Sequence, residues 1–119
     1  MKQDEFSEYD KLITGLVLER DQNTCQFCLR PADEAHHIFT RAFEGVRFEE
    51  INLISVCREC HTLIHAGKIG KKEIEKRMAR KYGSHWIDQL EEKAGKTLLW
   101  SEKKKQCEKI KERANGSLF

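Results

Sequence analysis

The chain has 119 residues, of which 39% are apolar and 35% are charged, and its formal net charge is only +2. This length suggests one domain with a thin hydrophobic core, to which a bound metal would add stability. No apolar run reaches the length of a membrane span and the N-terminus has no signal pattern, so we expect a cytoplasmic protein with no membrane partner.

Hydrophobic periodicity and turn residues predict the elements in chain order. A helix over residues 5–20 leads into a polar loop that ends at Pro31. Strands over 34–40 and 53–56 follow, separated by a loop around Gly45. The remaining predicted elements are helices over 58–67, 71–83, 84–95 and 98–114.

The C-terminal helices carry further expectations that the tertiary structure can test. Ser84 is the predicted N-cap of its helix and Gly95 its end. Cys107 lies in a charged helical stretch, where we expect a thiol with no role. The side chains expected to pack between these helices are Met78, Tyr82, Trp86, Ile87, Leu90, Leu98, Leu99 and Trp100.

Two Cys-x-x-Cys pairs predict a structural zinc site. The pairs are Cys25 with Cys28 and Cys57 with Cys60. Cysteines of a cytoplasmic protein are reduced, and four thiolates around Zn²⁺ form a closed tetrahedral site. A redox role for either pair would need a thioredoxin-like βαβ context, which the predicted elements do not supply.

A second group of ligands lies between and beside these pairs. His61 and His65 are four residues apart on a predicted helix and therefore share one face, and His36 on the first strand can supply a third ligand. His37 would then point away and remain free to take a proton from water. A divalent ion with a general base is suited to phosphodiester hydrolysis, and Asn52 could brace the loop that holds the base.

These residues resemble the HNH endonuclease family, in its zinc-knuckle branch of ββα-metal nucleases. The matching stretches are CQFC, AHHI and NLISVCRECHTLIH, and they run from Cys25 to His65. The resemblance implies that His37 is the general base, that His36 and His61 bind the catalytic ion, and that Asn52 orients the base. It implies His65 as a further ligand, and 5′-phosphate and 3′-hydroxyl product ends.

One position departs from the pattern of this family. Many relatives have Asp before the base histidine, where this chain has His36. Besides Mg²⁺ or Mn²⁺, a neutral imidazole ligand would accept Ni²⁺ or Zn²⁺ as the catalytic ion.

The expected fold is small and of the α+β class. A ββα-metal finger held by the four-cysteine zinc would carry an N-terminal helix and a helical C-terminal extension. We divide the chain into a nuclease core over 1–67 and a basic helical extension over 68–119 packed on the core.

DNA is the expected partner, bound with little sequence specificity. Basic residues are frequent between positions 68 and 81, although charge alone favours solvated helix faces. With the nuclease resemblance, phosphate contacts are expected from Arg41, Arg47, Lys68, Lys71 and Lys72.

Two alternatives stay open at this point. Residues 47–97 are similar, more faintly, to phage recombination endonucleases, which implies a structure-selective nuclease for branched DNA. A non-catalytic zinc-ribbon adaptor would need the cysteines alone, and the presence of His37 and Asn52 argues against it.

Overall fold

The computed structural model describes residues 6–116, and within them the chain forms a small α+β fold. The first residues of the predicted 1–67 unit, including the predicted helix start at residue 5, lie outside the described residues. So do the last residues of the predicted 68–119 unit. Within 6–116 no helix combines the length and the apolar character needed to cross a membrane. The elements are α1 (Ser7–Arg20), β1 (Glu34–His37), a 3₁₀ turn (Glu50–Asn52), β2 (Leu53–Val56), α2 (Arg58–His65), α3 (Lys71–Tyr82), α4 (Trp86–Ala94) and α5 (Trp100–Gly116).

The two strands form an antiparallel pair that places the histidines. His36 lies opposite Ile54 and His37 opposite Leu53. β1 ends at His37, three residues earlier than predicted. The reason is local: the Ile38 N–H still bonds to the Asn52 carbonyl, but both backbone groups of Phe39 bond to the Asn52 side chain instead of a strand partner.

The larger hydrophobic cluster joins the two-stranded sheet to α3 and α4. The buried side chains of Ile54 and Val56 on β2 share this cluster with Met78 and Trp86. The Trp86 indole N–H also donates to the Ile51 carbonyl at 2.7 Å. The segments before and after residue 67 thus share one core, while their division into two units stays a prediction.

A second cluster packs α5 against α1. It includes Ile13, Val17, Leu53, Ile110 and Cys107. Cys107, expected to have no role in a charged stretch, is therefore a core residue. Burial raises the pKa of its thiol to about 11, which keeps it protonated and inert.

Asp21 holds three elements together at the end of α1. Its buried carboxylate accepts from Arg20 and from the Ser55 N–H of β2, and it lies 2.8 Å from Lys81 of α3. Burial alone would raise the pKa of Asp21, but Arg20 and Lys81 outweigh burial and hold that pKa below its usual value. The ion pair therefore satisfies an otherwise costly buried charge.

Three expectations for the C-terminal helices are wrong. His85, not Ser84, is the N-cap of α4, and it makes no side-chain capping bond. Leu99 and Trp100 are 68% and 57% exposed instead of packed. α5 contacts α1 through the face that carries Cys107 and Ile110, and Leu99 and Trp100 do not belong to that buried cluster. Tyr82 is 38% exposed, because its hydroxyl accepts from Arg20 at the surface.

Candidate active site

The four cysteines of the predicted zinc site come together. Their sulfur atoms all lie within 4.8 Å of one another, and those of Cys28 and Cys57 are 3.6 Å apart. A tetrahedral Zn–S₄ site with bonds of about 2.3 Å has S–S edges of about 3.8 Å. The cluster is therefore compatible with a structural zinc.

Backbone hydrogen bonds favour the thiolate form of one of these cysteines, Cys25. Burial raises the pKa of Cys25, but backbone hydrogen bonds at Cys28 and Cys57 more than offset this and lower it to about 7. The Cys57 sulfur also accepts from the Cys60 N–H and so caps α2 at its start. Since α2 begins at this cap, the four-cysteine cluster fixes the start of the helix that carries His61 and His65.

Three histidines form the second cluster. The ring nitrogens of His36, His61 and His65 that face one another lie within 4.8 Å. Burial, and then the nearness of His61 and His65, lowers the pKa of His36 to about 4. His36 is therefore neutral at physiological pH, which is the form that binds a metal.

Glu34 lies beside this cluster, and the sequence patterns did not single it out as a site residue. Its Oε1 lies 2.7 Å from Nδ1 of His61, across 27 residues of sequence. A carboxylate oxygen accepts, so Nδ1 of His61 donates to it, and in the neutral form of the ring this leaves the Nε2 lone pair for a ligand bond. One signal was present: Glu34 and His36 are two residues apart on a strand, so both lie on the same face.

His37 faces a different partner from its neighbour. Its Nε2 lies 3.1 Å from the backbone carbonyl oxygen of Arg47. A carbonyl can only accept, so Nε2 donates and the lone pair of His37 is on Nδ1. Burial lowers the pKa of His37 and the Arg47 carbonyl only partly opposes this, so the ring is neutral and can take a proton.

Comparison with protein families classifies the segment that carries this arrangement. Residues 25–67 match the family model described as HNH endonuclease. This segment is an HNH domain. It contains both cysteine pairs, the three-histidine cluster, His37 and Asn52, and the match ends before α3. Searches of curated proteins and of solved structures each gave no match.

Asn52 lies at the centre of the HNH domain, with no exposed surface. Its side-chain oxygen accepts from the Phe39 N–H at 2.8 Å, and its amide nitrogen donates to the Phe39 carbonyl at 3.0 Å. Because Phe39 is two residues after His37, these bonds fix the chain that leaves the histidine. A bracing role for Asn52 stays a prediction, and these two bonds are the contacts through which it would act.

The basic candidates of the HNH domain differ in their surroundings. Arg47 is only 5% exposed, and its guanidinium makes two bonds to Asp10 of α1, of 3.0 and 2.7 Å. This arginine therefore closes a structural ion pair instead of presenting itself to a phosphate. Arg41 is mostly exposed, with one contact to Asp10 at 3.3 Å.

The remaining predicted DNA contacts follow the HNH domain. Lys68 lies in the turn after α2, and Lys71 and Lys72 begin α3. All three are exposed, so they stay candidates for phosphate contact.

Proposed function

We propose that this protein is a metal-dependent DNA endonuclease that hydrolyses phosphodiester bonds with a water activated by His37. One observation carries the proposal. On β1, the base candidate is held by Arg47 with Nδ1 unprotonated, while the adjacent His36 belongs to a cluster of possible metal ligands.

The ligands of the catalytic ion would be His36, His61 and His65. A divalent ion held there would supply Lewis-acid stabilisation of negative charge at the phosphate and on the leaving oxygen. Three imidazoles accept Mn²⁺, Ni²⁺ or Zn²⁺ more readily than Mg²⁺, which prefers oxygen ligands.

His37 would supply the proton transfer. Nδ1 takes a proton from water as the water oxygen bonds to phosphorus, and the bond from phosphorus to the 3′-oxygen breaks. The leaving 3′-oxygen takes a proton from solvent water, and the products are a 5′-phosphate and a 3′-hydroxyl. Throughout, the Arg47 carbonyl keeps the ring oriented and favours its protonated form, because Nε2 continues to donate to it.

Exposed basic residues would bind the DNA backbone and make no contacts that distinguish one base from another. Lys68, Lys71, Lys72 and Arg41 are exposed and would contact phosphates, which gives affinity that falls with salt and little sequence preference. The four-cysteine zinc would act only on folding, where binding contributes on the order of 10 kcal/mol in small metallo-domains.

Plasmid nicking tests the proposal. The wild-type protein should nick supercoiled DNA when Mn²⁺ or Mg²⁺ is added, and EDTA should stop it. His37→Ala should lose activity at least a hundredfold, in line with general-base contributions, while its zinc content and fold persist. His85→Ala is the matched control, since His85 is exposed and belongs to neither candidate metal cluster. A protein with one zinc per chain but no metal-dependent nicking would instead be an adaptor.

A further inference from the structure

An exposed aromatic ring lies on the loop that begins at the proposed base. Phe43 is 44% exposed, although it is a large apolar residue in a charged chain. The 38–46 loop that carries it starts directly after His37 and leads to Arg47. Since the Arg47 carbonyl accepts from the His37 ring, both ends of the loop meet at His37.

The 38–46 loop is held firmly along its length. A Cβ added at Gly45 would lie 2.0 Å from the Lys93 carbonyl oxygen, so the loop presses against the end of α4. Glu44 lies 3.3 Å from Lys103 of α5, which adds an ion pair. The loop also closes on itself, with the Phe43 N–H donating to Thr40 at 2.9 Å.

A second aromatic ring, that of Phe39, contacts Phe43. The ring centroids of Phe39 and Phe43 are 5.1 Å apart and their planes meet at 67°, an edge-to-face contact. The backbone of Phe39 is itself fixed by Asn52. Phe43 is therefore already ordered, and a partner on its exposed surface would meet it at low entropic cost.

We propose that Phe43 stacks on a nucleobase beside the phosphate to be cut, and that the protein prefers DNA in which this base is already out of the helical stack. This inference rests on the proposed nuclease function and narrows its substrate. Inside an intact duplex both faces of a base are covered by neighbours, and unstacking costs a few kcal/mol. A bulge, mismatch or branch contains a base that is already unstacked, so this cost is absent. A fixed aromatic ring can then stack on the exposed face of that base.

A positively charged side chain near the Phe43 ring also suits a nucleic-acid partner. Arg41, two residues before Phe43, has a side chain that is 62% exposed and can approach the phosphate of a stacked nucleotide. Phe43 therefore differs from Leu99, an exposed apolar residue just before α5, outside the HNH domain. Leu99→Ala is thus the matched control for exposed apolar surface.

The test compares two duplexes of one sequence, one fully paired and one with a single unpaired 2-aminopurine. Binding is measured with the His37→Ala protein, by anisotropy and by 2-aminopurine fluorescence. Cleavage is measured with wild-type His37 and mapped along both strands. The variants are Phe43→Ala, Phe43→Trp and Leu99→Ala, and zinc content and circular dichroism verify their folds.

We expect tighter binding to the bulged duplex, quenched fluorescence, and cuts concentrated beside the unpaired base. Phe43→Ala should reduce the preference for the bulge by about fivefold to a hundredfold, as loss of one base–aromatic stack predicts. Phe43→Trp should retain the preference, and so should Leu99→Ala. If Phe43→Ala does not fold, Phe43→Leu keeps apolar bulk without the aromatic ring and should give the same loss.

An unchanged preference and unchanged fluorescence in Phe43→Ala would overturn the inference, while the nuclease function would stand if wild-type still cut. An equal loss in Leu99→Ala would overturn it as well. If wild-type cut no DNA, the nuclease proposal would fail, and the binding measurements alone would still decide whether Phe43 stacks on an unpaired base.

Discussion

Replacing Asn52 with alanine should both destabilise the protein and disable the proposed site. The Asn52 amide is fully buried and is the partner of both backbone groups of Phe39. Alanine would leave the Phe39 N–H and carbonyl without these bonds, two residues after the proposed general base.

The size of the effect follows from these two bonds. An unsatisfied buried polar group costs about 1–3 kcal/mol, so two give about 2–6 kcal/mol. Phe39 is only partly buried, so water can replace part of the loss, and we expect a decrease of about 2–4 kcal/mol in the free energy of unfolding. The loop would also lose its orientation, and plasmid nicking should fall roughly tenfold to a hundredfold, as for other supporting residues of metal sites.

Urea unfolding of the zinc-loaded protein measures the first quantity, with circular dichroism as the signal. Asn115→Ala is the control, because Asn115 is exposed near the end of α5 and should change stability by less than about 0.5 kcal/mol. If Asn52→Ala cost no more than this control, the two bonds to Phe39 would not hold the loop and the reasoning would fail.

Three further predictions test the two candidate metal sites and the loop that carries Cys25, Cys28 and Leu29. Cys57→Ser removes a zinc ligand and a capping sulfur, so elemental analysis should find less than one zinc per chain and circular dichroism should show loss of helix; full zinc and an intact fold would contradict the four-cysteine site. Glu34→Gln removes the negative charge that orients His61, so calorimetric titration with Mn²⁺ should show about tenfold to a hundredfold weaker binding, with zinc content unchanged. Glu59→Gln, a change in an exposed ion pair, is the control for this titration, and equal weakening there would refute the role of Glu34. Leu29 has a left-handed φ of 66° and a mostly exposed side chain, so Leu29→Gly should raise the free energy of unfolding by about 0.5–1 kcal/mol in urea denaturation. A decrease in that free energy would mean that the leucine side chain stabilises the fold by more than its backbone strain destabilises it.

The sequence predicted the HNH domain well because its signals are local. Two residues between paired cysteines, and three between His61 and His65 along a helix, bring possible ligands together whatever the rest of the chain does. The second strand was predicted with correct bounds, since an apolar run between polar residues is also a local pattern.

The C-terminal helices show what local sequence patterns do not predict, namely which face of a helix is buried. Their existence was predicted, but the periodicity of a charged helix does not identify its partner. Leu99 and Trp100 were expected in the core and are exposed, whereas Cys107 was expected to have no role and is buried against α1. Which face is buried depends on the path of the chain before α5, and that path is a property of the whole fold.

The sequence by itself thus determined which residues can bind metal, and that adjacent histidines on a strand must meet different surroundings. The tertiary structure alone decided what those surroundings are. The Arg47 carbonyl sets the proton position on His37, Glu34 sets it on His61, and Asp10 takes Arg47 away from the surface. Each of these contacts joins residues at least 10 positions apart, so desolvation and charge pairing in the folded core select them, and no local spacing encodes them.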